Sequence, residues 1–96
     1  MLTFSGFAQK KETYLKDATT YYVDSVYKST GLPVVKRSAK AKREFLRQKN
    51  LQKCPKGYEI DHIIPLFKGG LDVPENMQLL TIEEHKKKTI KERKKH

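Results

Sequence analysis

The stretch YEIDHIIPLFKGGLDVPENMQLLTIEEH, residues 58–85, decides the fold. It opens with a short run rich in β-branched residues, Ile60, Ile63 and Ile64, which reads as a strand. Pro65 ends its regular pairing, because proline has no amide hydrogen to give a ladder. Phe67, Lys68, Gly69, Gly70, Leu71 and Asp72 then form a turn, and the two glycines permit positive φ there. Residues 77–80 read as a returning strand. Thr81, with Glu84 three positions on, is a capping box that starts a helix at Ile82. His85 falls in the first turn of that helix, which runs on through KKKTIKERKKH. The order strand, loop, strand, helix makes this an α+β chain.

Upstream, Ser38 is a natural N-cap for the helix SAKAKREFLRQKN. Ala41, Phe45 and Leu46 give it a narrow apolar stripe. Arg43 and Arg47, one turn apart, lie either on a solvated face or on a face that meets phosphate. Cys54, Pro55, Lys56 and Gly57 break this helix. Residues 14–28, YLKDATTYYVDSVYK, fit two patterns. Leu15, Ala18, Tyr22 and Val26 recur at helical spacing, whereas the run from Thr19 to Val23 favours a strand. The reading adopted is a helix ended by Gly31 and Pro33. Tyr14, Tyr21, Tyr22 and Tyr27 either pack half-buried or stack on bases. Residues 1–13 read as an arm. The expected layout is a single domain: a partly helical extension over 1–35, then a core over 36–96 with one or two helices ahead of the hairpin.

A chain of 96 residues with 36% apolar residues and no Trp builds a modest core. One cysteine, Cys54, excludes an internal disulfide and a four-cysteine zinc site. The net charge is +10, from 21 Lys and Arg against 11 Asp and Glu. Such an imbalance costs self-repulsion, and its commonest reason is a polyanionic partner. No apolar run approaches a membrane span. The first residues lack the apolar core of a secretory signal, so an intracellular location is expected.

Within residues 58–85 the chemistry-bearing side chains are Asp61, His62, Asn76 and His85. Asp61 offers a hard anionic oxygen suited to Mg²⁺ or Mn²⁺. An imidazole such as His85 also suits Zn²⁺, Co²⁺ or Ni²⁺. A hairpin followed at once by a helix can bring the two together. An imidazole outside the metal sphere can take a proton from water at neutral pH, which suits His62. Asn76 can donate and accept at once; spacing alone leaves it either a brace across the loop or a turn-former after Pro74.

The pattern DHIIPL, then GG, then Asn, then QLL, then His with Lys and Thr close behind resembles the HNH nuclease family. The likeness spans about residues 56–93, with FLRQ and CPKGYE leading into it. It implies a ββα-metal core. His62 is similar to the family's general base, Asp61 and His85 to its metal ligands, and Asn76 to the residue that braces the loop and orients the base. It implies one divalent ion and cleavage of DNA to 5′-phosphate and 3′-hydroxyl ends. Unlike many relatives, this chain has no cysteine cage, and no further histidine follows His85 closely. Arg43, Arg47, Lys68, Lys86, Lys87, Lys88, Lys91 and Arg93 are the expected phosphate-facing cations, whose contacts are blind to sequence. Sequence choice would then be weak or supplied by a protein partner. The rival readings are a non-catalytic nucleic-acid-binding module and an RNA-directed nuclease. The last helix has only Ile82, Thr89 and Ile90 as an apolar edge, so a metal bond through His85 is expected to anchor it.

Overall fold

A computed structural model describes residues 11–94, and side chains to residue 93. Most of the expected arm, and His96, lie outside the described residues. Over these residues the chain is a small mixed α+β fold with two helices and two antiparallel sheets. Strands β1 (Thr13–Lys16), β2 (Thr19–Val26) and β3 (Pro33–Val35) form one sheet in that order. Helix α1 (Ala39–Gln48) follows, then the hairpin of β4 (Tyr58–His62) and β5 (Met77–Thr81), then α2 (Ile82–Lys94). Among the described residues, no helix is long and apolar enough to cross a membrane.

The helix expected over residues 14–28 is instead the β1–β2 hairpin. Asp17 and Ala18 both take left-handed backbone, with φ of 52° and 58°. They are the two central residues of a turn flanked by the pair Lys16 and Thr19. Two consecutive positive φ values match the right-handed twist of antiparallel strands. The β-branched residues of β2 then pair across the sheet, and Tyr14 stacks on its cross-strand partner Tyr21 at 5.4 Å between ring centroids. Burial and the neighbouring negative charge of Asp17 push the Tyr21 phenol pKa above its ordinary value. One helix, not two, therefore precedes the β4–β5 hairpin among the described residues.

Ser38 caps α1 as its sequence dictates: its hydroxyl accepts from the Ala41 amide at 3.1 Å. The helix buries Phe45 and Leu46 against Met77 of β5, with Ala41, Leu51, Ile60 and Leu79 around them. This cluster is the main apolar core. Burying each such side chain is worth about 1.5–3 kcal/mol, so the fold stands on few large contributions.

Residues 63–76 join β4 to β5 through two single 3-10 turns, Leu66–Lys68 and Pro74–Asn76. Gly69 closes the first with φ of 96°. Gly70 has a different reason to be glycine. A Cβ there would stand 1.8 Å from the Ile64 carbonyl oxygen and 2.9 Å from Asn76 Nδ2. The loop folds back so tightly that no side chain fits.

Helix α2 starts in the expected capping box. The Glu84 amide donates to Thr81 Oγ1 at 3.1 Å, and the Thr81 amide to Glu84 Oε1 at 2.8 Å. The Thr81 amide, and after it the Thr81 hydroxyl, hold the Glu84 carboxyl below the usual carboxylate range. The helix does not dock through its isoleucines, since Ile82 and Ile90 are 44% and 55% exposed. The half-covered positions are His85, Lys88, Thr89 and Glu92. That spacing is one helical face, but its residues are mostly polar.

Candidate active site

The end of β4, the loop after it and the first turns of α2 enclose a cleft of about 340 Å³. Asp61, His62, His85 and Lys88 all line it. Consecutive strand residues ordinarily point to opposite faces. Asp61 and His62 reach one cleft because pairing stops at His62, where the chain turns into the loop.

Asp61 is buried, at 8% exposure. Its Oδ2 accepts from Gln78 Nε2, the side chain opposite it on β5, at 3.0 Å, and lies 3.0 Å from Lys88 Nζ. Its Oδ1 faces His85 Nε2 at 3.5 Å. The other ring nitrogen of His85, Nδ1, is hydrogen-bonded to Glu59 Oε1 at 2.5 Å. A carboxylate behind one imidazole nitrogen fixes the ring and leaves the other nitrogen directed at a ligand. One carboxylate oxygen and one imidazole nitrogen thus converge, each held from behind. This donor pair fits a hard or borderline divalent ion. Among the described residues no group of three or more His, Cys, Asp and Glu side chains forms a metal-binding cluster, so the protein donors in view are these two.

His62 is held apart from that pair. Its Nε2 lies 2.8 Å from Asp72 Oδ1. Asp72 is 4% exposed. Its Oδ2 accepts from the Ser38 amide at 2.7 Å, and its own amide donates to Thr19 Oγ1 at 3.0 Å. One buried residue therefore joins β2, the N-cap of α1 and the imidazole.

Asn76 ties the limbs of the loop together. Its Oδ1 accepts from the Ile64 amide at 2.9 Å. Its Nδ2 donates to the Ile64 carbonyl at 3.0 Å and the Leu71 carbonyl at 2.8 Å. Its backbone carbonyl accepts from Ile63 at 2.8 Å. These bonds fix the backbone just after His62, whereas the bond to the imidazole itself comes from Asp72.

Lys88 is turned inward. Its Nζ donates to the His62 carbonyl at 3.0 Å and pairs with Asp61 and, at 2.6 Å, with Glu92. Burial works against its charge, but the hydrogen bonds and charges of Glu92 and Asp61 together outweigh it and raise its pKa. Arg93, Arg37 and Tyr27 also line the cleft. The other cations singled out from the sequence, Arg43, Arg47, Lys68, Lys86, Lys87 and Lys91, do not line it. Arg47 is held by Glu44, a side-chain bond that raises the guanidinium pKa and lowers that of the carboxyl. Lys87 lies 3.4 Å from Glu83, and Lys68 stands over the Phe67 ring.

Three residues of this arrangement carry no signal in the sequence pattern: Asp72, Glu59 and Arg37. Asp72 looks like a turn residue beside Gly69 and Gly70. Glu59 looks like the polar member of an alternating strand. Compared with protein-family models, curated proteins and solved structures, the chain matches none.

Proposed function

We propose that the chain is a metal-dependent endonuclease of the HNH type, with β4, β5 and α2 as a ββα-metal core, that hydrolyses phosphodiester bonds in DNA. The observation that carries this reading is the pairing of two different devices on one cleft. Asp61 Oδ1 and His85 Nε2 converge at 3.5 Å, and His62 stands beside them on a separate carboxylate support. A divalent ion between Asp61 and His85 would supply Lewis-acid stabilisation of the phosphorane and of the departing 3′ oxygen.

The protein's own groups do the rest. His62 takes a proton from water as its oxygen attacks phosphorus. The bond from phosphorus to the 3′ oxygen breaks, and that oxygen takes a proton from solvent water, leaving 5′-phosphate and 3′-hydroxyl ends. Asn76 keeps the loop from shifting the imidazole. Lys88 pairs with Asp61 and holds the His62 carbonyl. Arg37 and Arg93, on the cleft walls, present positive charge to a polyanionic backbone. The net charge of +10 supports the same class of partner.

The test is nicking of supercoiled plasmid with Mg²⁺, Mn²⁺ or a chelator, alongside single-stranded RNA. The expected result is metal-dependent relaxation of the plasmid, lost with chelator. Intact plasmid with every metal would remove the DNA reading, and cleavage of RNA alone would redirect it.

A further inference from the structure

We propose that Asp72 is a positioning residue that fixes the tautomer of His62, with the proton on Nε2 and Nδ1 free to accept another. The inference rests on the nuclease reading only in naming water as the source of the second proton.

Asp72 presents one oxygen to a backbone donor and the other to the imidazole. Oδ2 takes the Ser38 amide hydrogen at 2.7 Å, and a backbone amide can only donate. Oδ1 lies 2.8 Å from His62 Nε2. An ionised carboxylate accepts only, so a neutral imidazole facing it must carry its hydrogen on Nε2. No hydrogen bond engages Nδ1 among the described residues, and no buried side-chain nitrogen or oxygen is left unpartnered. Nδ1 is therefore accessible rather than sealed, on a side chain that lines the cleft. Asp72 cannot easily turn away, because its own amide is bonded to Thr19 Oγ1, on a residue only 1% exposed. Three segments of the chain thus converge to hold the imidazole of a cleft-lining residue by one nitrogen and leave the other unbonded.

Asp72→Asn gives a sharp contrast. The Ser38 amide demands an acceptor, so the new side chain must present its Oδ1 there. Its Nδ2 then points at His62 Nε2 as a donor. The imidazole can satisfy that donor only by moving its hydrogen to Nδ1, the atom that must be bare to take a proton.

The experiment combines nitrogen-15 NMR of the imidazoles in alkaline buffer with plasmid nicking and metal calorimetry. The His62 signals are assigned by their loss in His62→Gln. In the wild type, Nε2 should carry the hydrogen, with slow solvent exchange. In Asp72→Asn the hydrogen should sit on Nδ1. The turnover number should fall by ~10³–10⁴-fold, the cost of an imidazole held in the wrong tautomer. KM and metal affinity should stay within about twofold, as for a group acting only on the chemical step. An unchanged tautomer in the variant, or a flipped tautomer with undiminished turnover, overturns the proposal. If Asp72→Asn does not fold, the wild type alone decides. A slowly exchanging Nε2 hydrogen supports the assignment, and a hydrogen on Nδ1 overturns it. Wild-type protein that cuts no DNA would sink the nuclease reading, while the tautomer would still report on Asp72.

Discussion

The N-terminal sheet and the hairpin–helix unit are both antiparallel structures, and they are held together in opposite ways. Strand β1 is exposed along its whole length, and Leu15 is 73% exposed. Among the described residues, Thr19 and Val35 are the only buried ones in this sheet. The sheet meets the rest of the chain at points: Thr19 on the Asp72 amide, Thr30 Oγ1 on the Phe67 carbonyl at 2.5 Å, and Leu32 against Gly69. All of them fall on the loop between β4 and β5. The hairpin–helix unit, by contrast, contains the two buried carboxylates, Asp61 and Asp72, and each has several partners. The first region is a scaffold that touches the second where the second is least regular. Sensitivity to substitution should therefore be concentrated in the loop and at the few points that touch it.

The largest effect expected is chemical. His62→Ala should lower the nicking rate by ~10⁴-fold, the upper end of the range for a lost general base and no less than the effect of Asp72→Asn. Calorimetric metal affinity should hardly change, because His62 lies outside the Asp61–His85 pair. A large loss of metal binding would mean that His62 and the metal pair are not separate devices. Next comes Gly70→Ala. Its Cβ meets the Ile64 backbone and an Asn76 side chain tied down by three hydrogen bonds, so the loop must open. A loss above about 3 kcal/mol in a denaturant titration is expected, in the range of severe core or backbone disruption. A loss under 1 kcal/mol, by the same marker of mechanism, would show that the loop has slack.

Smaller again is Thr19→Val, which keeps the shape but strands the Asp72 amide hydrogen in a buried place. Leaving such a donor unsatisfied costs about 1–3 kcal/mol. The loss should appear in thermal melts, with some of it as a lower nicking rate if the sheet acts through Asp72. Leu15→Ser, on the same sheet but away from the loop, should move stability by no more than about 0.5 kcal/mol. Equal effects from Thr19 and Leu15 variants would end the contrast between contact points and scaffold surface.

Legibility in the sequence followed the same division. The hairpin–helix unit could be read because its signals are local and physical: Pro65, the paired glycines, and Thr81 with Glu84. Ser38 announced α1 for the same reason. The N-terminal sheet was misread because its deciding residues are Asp17 and Ala18, and alanine gives no hint of left-handed backbone. With that turn invisible, the helical spacing of Leu15, Ala18, Tyr22 and Val26 outweighed the β-branched run. In the site, the convergence of Asp61 and His85 follows from chain order, since a hairpin leads straight into a capped helix. Asp72 and Glu59 were not legible, because their importance lies in which imidazole nitrogen they face. Lys88 read as one more surface cation in a lysine run. Only the rotation of α2 separates it from Lys86 and Lys87.

That rotation has a wider consequence. Helix α2 rests on the hairpin through His85, Lys88, Thr89 and Glu92, a seam of charges and hydroxyl where most helices present oil. An apolar seam is not screened by dissolved ions, and it weakens on cooling. A charged one is screened as ionic strength rises. The grip of this helix should therefore be governed by salt more than by temperature, and on the nuclease reading the same salt should also weaken the hold of its outer lysines on a nucleic-acid backbone.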